Sequence, residues 1–496
     1  MVSFMSPFRS LIPLSFAAVL TAGALVAVPA SSAKKNGTFS DTGSTIADSI
    51  DGTQSLLDDG RVLITGGENL AREKLSSAEI YDPSSKTFTA TGSMAVSRES
   101  GTATVLNDGR VLIVGGTPEL FSEIYDPGTG VFARSGSLSE ARSGHTASLL
   151  NDGRVLIAGG ITTGTTLPLT TTEIYDPQTQ TFEAAASMSV PRAFHTANVL
   201  EDGSVLVAGG YTTAGSRADP EKATATAELY DPKKSEFVAT GSMSTPRTIH
   251  NASQLRNGTV LVTGGTDMAA GTTQKTAELY KPSKGKFVEV GSMTTSRSDF
   301  AASVGYYQGQ EFVLVAGGLS GSNGTYNIVN SAESYNPNDN KFRKVGAMSA
   351  DRVGQFSTRL PNRQILMAGG SVNQDKANLA ELYEPVAAPG AVNDAMKTDV
   401  TMTRATVTWK QPRRDGGAKV TNYQYRIKKK GKSWQNWKGE KKKKLKVSGT
   451  SKYSKTFSKL KKGKKLKPNN KYVIELRGKN EAGPGANQKL SFRTQK

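Results

Sequence analysis

The stretch Asn151–Gly160, NDGRVLIAGG, decides the fold, because residues 107–116, NDGRVLIVGG, repeat it with one change. In both copies an Asp-Gly pair precedes a run of apolar residues that ends in Gly-Gly. Apolar residues that run on without alternation predict a strand buried on both faces, and Asp-Gly predicts a tight turn before it. The Gly-Gly pair permits close backbone approach where Cβ atoms would clash. The stretch therefore predicts one hairpin of a repeated, buried unit.

The same pattern recurs along most of the chain. Seven Gly-Gly pairs close an apolar run at a nearly regular spacing, and they begin at Gly66, Gly115, Gly159, Gly209, Gly264, Gly317 and Gly369. Each pair is followed by a Glu-x-Tyr triplet, whose tyrosines are Tyr81, Tyr125, Tyr175, Tyr230, Tyr280, Tyr335 and Tyr383. The spacing of these pairs is typical of propeller blades. The Gly, Ser and Thr content and the lack of long amphipathic helical patterns predict an all-β protein.

The seventh unit stops at Pro385, and the sequence offers its missing strand at the other end of the repeat region. FSDTGST, Phe39–Thr45, matches FTATGSM, Phe88–Met94, and the two phenylalanines precede Gly66 and Gly115 by the same length of chain. We therefore expect the N-terminal strand to supply the outer strand of the last blade. This pairing would close the ring without a covalent bond and would keep its strand edges short and protected.

These residues resemble the kelch motif, which combines a run such as ARSGHTASLL (141–150), an apolar strand ending in Gly-Gly, EIYDP, and then an aromatic residue with GSM. The resemblance extends from Phe39 to Pro385 and implies a seven-bladed β-propeller, assigned here to residues 34–385. The stretch DGRVLIAGG (152–160) is most similar to the galactose-oxidase-like branch of kelch proteins. The copper-radical site of that branch needs a tyrosine cross-linked to cysteine, and this chain has no cysteine. We therefore expect the fold without the oxidase activity, and we expect no cofactor.

A short Pro/Ala/Gly linker at 386–390 ends the repeat region, and residues 391–496 are different in character. They resemble a fibronectin type III domain, and the resemblance rests on Trp409, Pro412, Tyr423, Leu466, Tyr472, Asn480 and Gly483. It implies an immunoglobulin-like sandwich of two antiparallel sheets.

Residues 1–33 predict a secretory signal peptide, with Arg9 before an apolar run from Leu11 to Val28 and small residues at 31–33. An uncleaved anchor is the alternative. We expect the mature chain to begin near Lys34 and to be secreted or associated with the cell surface. Because it has no cysteine, the chain has no disulfide and no thiolate ligand or nucleophile.

Positive charge is concentrated in the C-terminal domain. From Pro389 to Lys496 there are 31 Lys and Arg against 6 Asp and Glu, a net charge of +25, so the remainder of the +19 chain carries −6. The lysine runs predict either a solvated surface or a surface that binds anionic polymers or the cell envelope, and we favour the second because such a charge costs self-repulsion. The candidate polyanion-binding residues are Lys428, Lys429, Lys430, Lys441, Lys442, Lys443, Lys444, Lys461, Lys462, Lys464 and Lys465.

The repeat region offers two sets of candidate site residues with two interpretations each. The arginines at a shared repeat position could line the channel mouth and bind an acidic ligand or could link the blades, and these are Arg98, Arg142, Arg192, Arg247, Arg297 and Arg352. The chain's three histidines, His145, His195 and His250, share another repeat position and could bind a metal such as zinc. We favour a structural role for both sets and expect no metal site.

The loops between Gly-Gly and Glu-x-Tyr vary in length, from the short Thr117–Ser122 to the long Tyr211–Ala227. Variable loops on a constant scaffold often carry specificity, so Tyr211 and Tyr326 are further candidates for ligand binding. No catalytic motif is present. The sequence favours a secreted, non-enzymatic protein that binds an extracellular protein or glycan. The alternative is a carbohydrate-active enzyme, of the lyase or sugar mutarotase type, with its site at the channel mouth.

Overall fold

The computed structural model describes residues 37–162, 165, 167–212, 222–307, 309–322, 324–370, 378–385, 393–400, 405–410, 422–430, 438–441, 446–447, 452–457, 466–467, 469–480, 483–484 and 488–493. The predicted signal peptide and linker lie outside these residues. The chain divides into two compact units, of which the first includes Phe39–Tyr306 and Glu311–Glu384 and the second includes Pro385–Lys496.

The first unit is built from short strands, and one 3-10 turn is described at Pro282–Lys284. Its strands are β1 Gly37–Ser44, β2 Thr53–Leu56, β3 Val62–Thr65, β4 Ala78–Asp82, β5 Thr87–Ala90, β6 Thr102–Val105, β7 Val111–Val114, β8 Phe121–Asp126, β9 Val131–Ser137, β10 Arg142–Ser143, β11 Thr146–Leu149, β12 Val155–Ala158, β13 Ile161–Thr162, β14 Thr172–Asp176, β15 Thr181–Ala184, β16 Thr196–Val199, β17 Val205–Ala208, β18 Ala227–Asp231, β19 Glu236–Ala239, β20 Asn251–Gln254, β21 Val260–Thr263, β22 Thr266–Asp267, β23 Thr272–Thr273, β24 Ala277–Lys281, β25 Lys286–Glu289, β26 Ala301–Tyr307, β27 Gln310–Ala316, β28 Leu319–Ser322, β29 Thr325–Ile328, β30 Ala332–Asn336, β31 Lys341–Lys344, β32 Phe356–Arg359, β33 Ile365–Ala368 and β34 Leu379–Pro385.

The repeats form one four-stranded antiparallel sheet each. Among the described residues there are seven such sheets, with strand orders β2-β3-β4-β5, β6-β7-β8-β9, β11-β12-β14-β15, β16-β17-β18-β19, β20-β21-β24-β25, β26-β27-β30-β31 and β32-β33-β34-β1. The N-terminal strand β1 is thus the outer strand of the last sheet. The innermost strands β32, β2, β6, β11, β16 and β20 contact one another in this order. The all-β fold class is therefore confirmed.

The core lies between neighbouring sheets, because the second strand of each sheet is apolar on both faces. All four residues of β3, β7, β12 and β17 are buried. Leu63 of the first sheet packs with Val111 of the second, and Val62 packs with Leu366 of the last. Continuous apolar strands are needed because each one contributes to two such interfaces.

Gly159 shows why the Gly-Gly pair recurs. Its φ is +61°, in the left-handed region that favours glycine. A Cβ atom there would overlap the carbonyl oxygen of Arg192 in the next repeat. The N–H of Gly160 donates to that same carbonyl at 2.8 Å. The pair therefore brings two repeats into direct backbone contact.

The second unit contains two antiparallel sheets. Its strands are β35 Asn393–Val400, β36 Ala405–Lys410, β37 Asn422–Lys429, β38 Lys438–Lys441, β39 Lys446–Val447, β40 Lys452–Phe457, β41 Lys471–Asn480, β42 Gly483–Pro484 and β43 Gln488–Arg493. The orders are β35-β36-β40-β39 and β38-β37-β41-β42, with β43 also paired to β41. Trp409, Tyr423, Leu466 and Tyr472 share its core, and the Tyr472 hydroxyl accepts a hydrogen bond from the N–H of Lys467 at 2.8 Å.

Candidate functional site

One residue from each of the seven sheets takes part in a closed cycle of backbone hydrogen bonds, which we call the axial ring. Each member lies two positions before the innermost strand and donates its N–H to the carbonyl oxygen of the preceding member, over 2.8–3.3 Å. Because every sheet contributes one residue, the ring encircles the axis of the first unit. The members are Asp51, Ser100, Gly144, Phe194, Ile249, Asp299 and Gly354, and Asp51 donates to Gly354.

All members of the axial ring have a positive φ, between 49° and 64°. This conformation is rare for a β-branched residue such as Ile249 and is held here by the ring of hydrogen bonds. At Gly144, a Cβ atom would lie 2.8 Å from the ring of Phe194, and at Gly354 it would overlap the carboxylate of Asp51. The two glycines therefore make room for their neighbours' side chains, and we call the side chains that the axial ring carries the axial mouth.

The mouth has an acidic side and an apolar side. Asp299 and Asp51 flank Gly354 in the ring, whereas Phe194 and Ile249 are consecutive members elsewhere in it. All four of these side chains are partly exposed.

Further carboxylates surround Asp51. Glu68 and Glu99 are both buried, and Nζ of Lys74 lies 3.4 Å from Oε2 of Glu99. Burial raises the pKa of Glu99, the charge of Lys74 opposes this rise, and the charges of Glu68 and Asp51 add to it. A buried carboxyl group with a raised pKa is a candidate for proton transfer.

The repeat arginines do not face this mouth. All six are at most 3% exposed, and each makes an ion pair with the glutamate of a Glu-x-Tyr triplet. In the pair of Arg192 and Glu228, Nη2 lies 3.0 Å from Oε1, and Nη1 donates to the carbonyl oxygens of Gly209 and Thr226 at 2.8 and 3.0 Å. Arg192 lies in the connection from β15 to β16, so these contacts fix that connection to the sheet of β16–β19, and they leave no guanidinium exposed for an acidic ligand.

The three histidines are also interior residues that connect neighbouring sheets. Nε2 of His145, His195 and His250 lies 3.0 Å from the hydroxyls of Thr102, Thr146 and Thr196, respectively. Burial, together with nearby arginines, lowers the pKa of His145 and His195 to about 3 and that of His250 well below its usual value. They are therefore neutral at physiological pH.

The two candidate tyrosines occupy different environments. Tyr211 is only 2% exposed, and its backbone forms bridges with Ala193 and Ala223. Tyr326 is half-buried and its hydroxyl donates to the carbonyl oxygen of Gly271 at 2.9 Å. That bond joins loops of two repeats, whose strands β22, β23, β28 and β29 form a small sheet. Residues 213–221 of the longest loop lie outside the described residues.

In the second unit, cations gather on the outer face of the sheet that contains β37, β41 and β43. Side chains alternate along these strands, and the inner set, such as Ile427 and Ile474, belongs to the core. The outer set includes Arg426, Lys428, Lys471, Arg477 and Lys489, which we call the basic face. Glu475 lies among them, with Nε of Arg426 2.6 Å and Nζ of Lys489 3.3 Å from its carboxylate oxygens.

The candidate lysines are only partly covered by the structure. Lys428 is half-buried and Lys429 and Lys430 are exposed at the end of β37. Lys441 ends β38, where only its backbone is described. The other candidates lie outside the described residues, namely Lys442, Lys443, Lys444, Lys461, Lys462, Lys464 and Lys465. Apart from Lys428, the residues of the basic face were not identified from the sequence, because they are spread over three strands rather than forming a run.

The fold and the matched motifs define a class: an all-β protein with a kelch-type, propeller-like unit followed by a fibronectin type III domain. Family models match a kelch motif at residues 141–189 and a fibronectin type III domain at residues 388–493. Both resemblances expected from the sequence are confirmed, and the two domains indicate a binding or scaffold role. No curated protein matches the chain.

A solved structure described as a novel fungal alcohol oxidase with catalytic diversity among the AA5 family, in complex with copper, is similar to this chain. The TM-score is 0.57 at 14% sequence identity, over 93% of this chain and 100% of that one. Such a likeness concerns the fold alone and agrees with the galactose-oxidase-like branch.

The residues present do not fit the copper of that relative. The chain has no cysteine, and the Nε2 atoms of His145, His195 and His250 are already engaged by threonines. Within the described part of the chain, no group of three His, Cys, Asp or Glu side chains could hold a metal ion.

Proposed function

We propose that this protein is a secreted, non-enzymatic binding protein, whose axial mouth recognises an extracellular glycan or protein and whose C-terminal domain attaches it to an anionic polymer or cell surface. The uneven charge carries the proposal: +25 on Pro389–Lys496 and −6 on the rest. A domain with such an excess is repelled from itself unless an opposite charge offsets it. The signal-like sequence at 1–33 supports export. No helix among the described residues is long and apolar enough to cross a membrane.

The basic face supports attachment by long-range attraction. Its five cations accompany a single carboxylate, and Lys471 and Lys489 are exposed. Burial and then the charge of Arg426 lower the pKa of Arg477, as expected where cations are crowded. Lysine predominates among the cations of the domain. A lysine ammonium acts as a point charge, so this composition favours non-specific attraction to phosphate, sulfate or carboxylate groups over the bidentate recognition typical of arginine.

Attachment can be tested with the full chain by binding to dextran sulfate, with neutral dextran as the control polymer, at two salt concentrations. We expect affinity only for dextran sulfate and a steep loss with salt. The triple variant Lys429→Glu, Lys430→Glu, Lys471→Glu should bind more weakly and with a smaller salt slope. The matched triple variant in the first unit is Lys284→Glu, Lys286→Glu, Lys341→Glu, whose side chains are also exposed. Equal losses in both variants would contradict a role for the basic domain.

The axial mouth supports a glycan as the recognised ligand. Sugars present hydroxyl groups that carboxylates such as Asp51 and Asp299 can accept from, and C–H edges that pack on an aromatic ring such as Phe194. We expect the wild-type chain to bind glycans on an array. The variant Phe194→Ala should lose this binding and keep the wild-type unfolding temperature. Retained binding in that variant would place recognition elsewhere.

The second candidate function is a carbohydrate-active enzyme of the lyase or mutarotase type. It is favoured by Glu99, whose raised pKa and proximity to Asp51 and Glu68 suit proton transfer. Glycans found to bind should be followed by NMR for bond cleavage or anomeric exchange. The enzymatic function would be supported if the wild-type chain converts the glycan and the variant Glu99→Gln binds it with unchanged affinity but does not convert it. Binding without turnover would support the first proposal.

A further inference from the structure

Six of the seven sheets contain the same buried guanidinium site. In the third sheet it is occupied by Arg142, whose Nη1 donates to the carbonyl oxygens of Gly159 and Thr171 at 2.9 and 3.1 Å. Nη2 of Arg142 lies 2.8 Å from Oε1 of Glu173, and the N–H of Ser139 donates to the other carboxylate oxygen at 3.0 Å. A planar guanidinium thus binds one carboxylate and two carbonyl groups.

The first sheet has the same acceptors but lacks the arginine. Glu79 is paired with Ile64 in the strand register, as Glu173 is with Ile157. The N–H of Ile46 donates to Oε2 of Glu79 at 2.7 Å, as Ser139 does for Glu173. Counting from Phe39, however, the residue in the arginine position is Ser49, where the next repeat has Arg98.

The missing side chain leaves a cavity of about 90 Å³, which we call the Glu79 cavity. Its lining includes Ile46, Ser49, Gly66, Ser77 and Glu79. A single water needs only about 10–15 Å³ of such space, so the cavity accommodates a larger molecule. Ile46 is 56% exposed, which places the cavity next to solvent.

Glu79 lies in this cavity without a cation. Its side chain is 4% exposed, and within the described residues no lysine or arginine forms an ion pair with it. Burial raises its pKa, whereas hydrogen bonds from the backbone of Ile46 and Ala47 oppose the rise. An unpaired buried carboxylate is costly, so a cation that fits the cavity would be bound favourably.

We propose that the Glu79 cavity binds a small alkylguanidinium cation, the chemical type of an arginine head group. Its acceptors are the carboxylate of Glu79 and the carbonyl oxygens of Gly66 and Ser77, which correspond to Glu173, Gly159 and Thr171 in the occupied third-sheet site. The hydroxyl of Ser49 donates to the carbonyl oxygen of Gly66 at 2.6 Å, and a carbonyl has a second lone pair for the ligand. The fork of donors on a guanidinium matches this set, whereas an ammonium ion presents a point charge.

The test is thermal unfolding of the full chain with methylguanidinium chloride, compared with equal concentrations of tetramethylammonium chloride. We expect methylguanidinium alone to raise the unfolding temperature, with a stabilisation that grows as the logarithm of one plus the ratio of its concentration to a Kd near about 1 mM, an affinity that a ligand of a few heavy atoms allows. Calorimetric titration should give the same affinity. A thermal response that is absent or equal for both salts, or a titration that shows no saturable binding, would overturn the proposal.

Three variants locate the site. Ser49→Arg supplies the guanidinium from the chain and should abolish the response to methylguanidinium. Glu79→Gln keeps the shape but removes the charge and should weaken binding at least about tenfold, a loss in line with one charge-assisted contact. Ser49→Ala leaves the cavity open and should retain binding. If Ser49→Arg does not fold, unchanged affinity in Glu79→Gln is still sufficient to refute the site.

Discussion

Substitution of Arg192 by alanine tests whether the buried ion pairs of the repeats stabilise the first unit. Arg192 is fully buried, and its guanidinium contacts Glu228, Gly209 and Thr226. Removing one partner of a buried ion pair costs about 3–5 kcal/mol, because the other charge stays buried. The described strands of this unit extend over residues 37–385, for which the unfolding entropy is about 0.7 kcal/mol/K. We therefore expect the unfolding temperature to fall by about 4–7 °C.

Scanning calorimetry is the suitable assay, because the three tryptophans, Trp409, Trp434 and Trp437, all belong to the C-terminal domain. Tryptophan fluorescence is then an internal control that should not change in Arg192→Ala. The double variant Arg192→Met, Glu228→Leu removes both charges and should recover most of the lost stability. A single variant that unfolds within about 1 °C of the wild type would refute this reasoning.

Three further outcomes are expected. His195 has a folded pKa of about 3 against 6.5 when exposed, so unfolding takes up a proton and stability falls as the pH drops below 6.5. His195→Gln should reduce the urea-measured stability difference between pH 7 and pH 5 by about 2 kcal/mol. Gly159→Ala should destabilise the first unit by at least about 1–3 kcal/mol in the same measurement, because φ is positive and the Cβ overlaps a carbonyl. Asp299→Asn should weaken glycan binding in titration calorimetry and leave the unfolding temperature unchanged.

The repeated scaffold could be predicted from the sequence because its determinants are residue types. Gly-Gly, Glu-x-Tyr and continuous apolar strands recur with little variation, and each fixes a contact between sheets. The match between Phe39–Thr45 and Phe88–Met94 likewise predicted the pairing of β1 with β34, which the sheet order shows. The fibronectin type III core was predictable from Trp409 and Tyr472 for the same reason.

The axial ring could not be predicted from residue types, because its members include Asp51, Phe194 and Ile249, which have nothing in common. The ring depends on backbone groups, and the only signal in the sequence is a fixed offset from the repeat arginine, two positions further along the chain. The Glu79 cavity did leave a signal. Extending the match that begins at Phe39 beyond Thr45 reaches Ser49, opposite Arg98.

The axial ring has a consequence for how such a protein can change its ligand. Because the five non-glycine members contribute only their N–H and carbonyl groups to the ring, its hydrogen bonds place little demand on which side chain they carry, whereas a Cβ atom would clash at Gly144 and Gly354. Substitutions at these five positions can therefore alter the chemistry of the axial mouth one residue at a time while the packing between sheets is preserved. The residues that vary most between repeats would then be those through which new specificities arise.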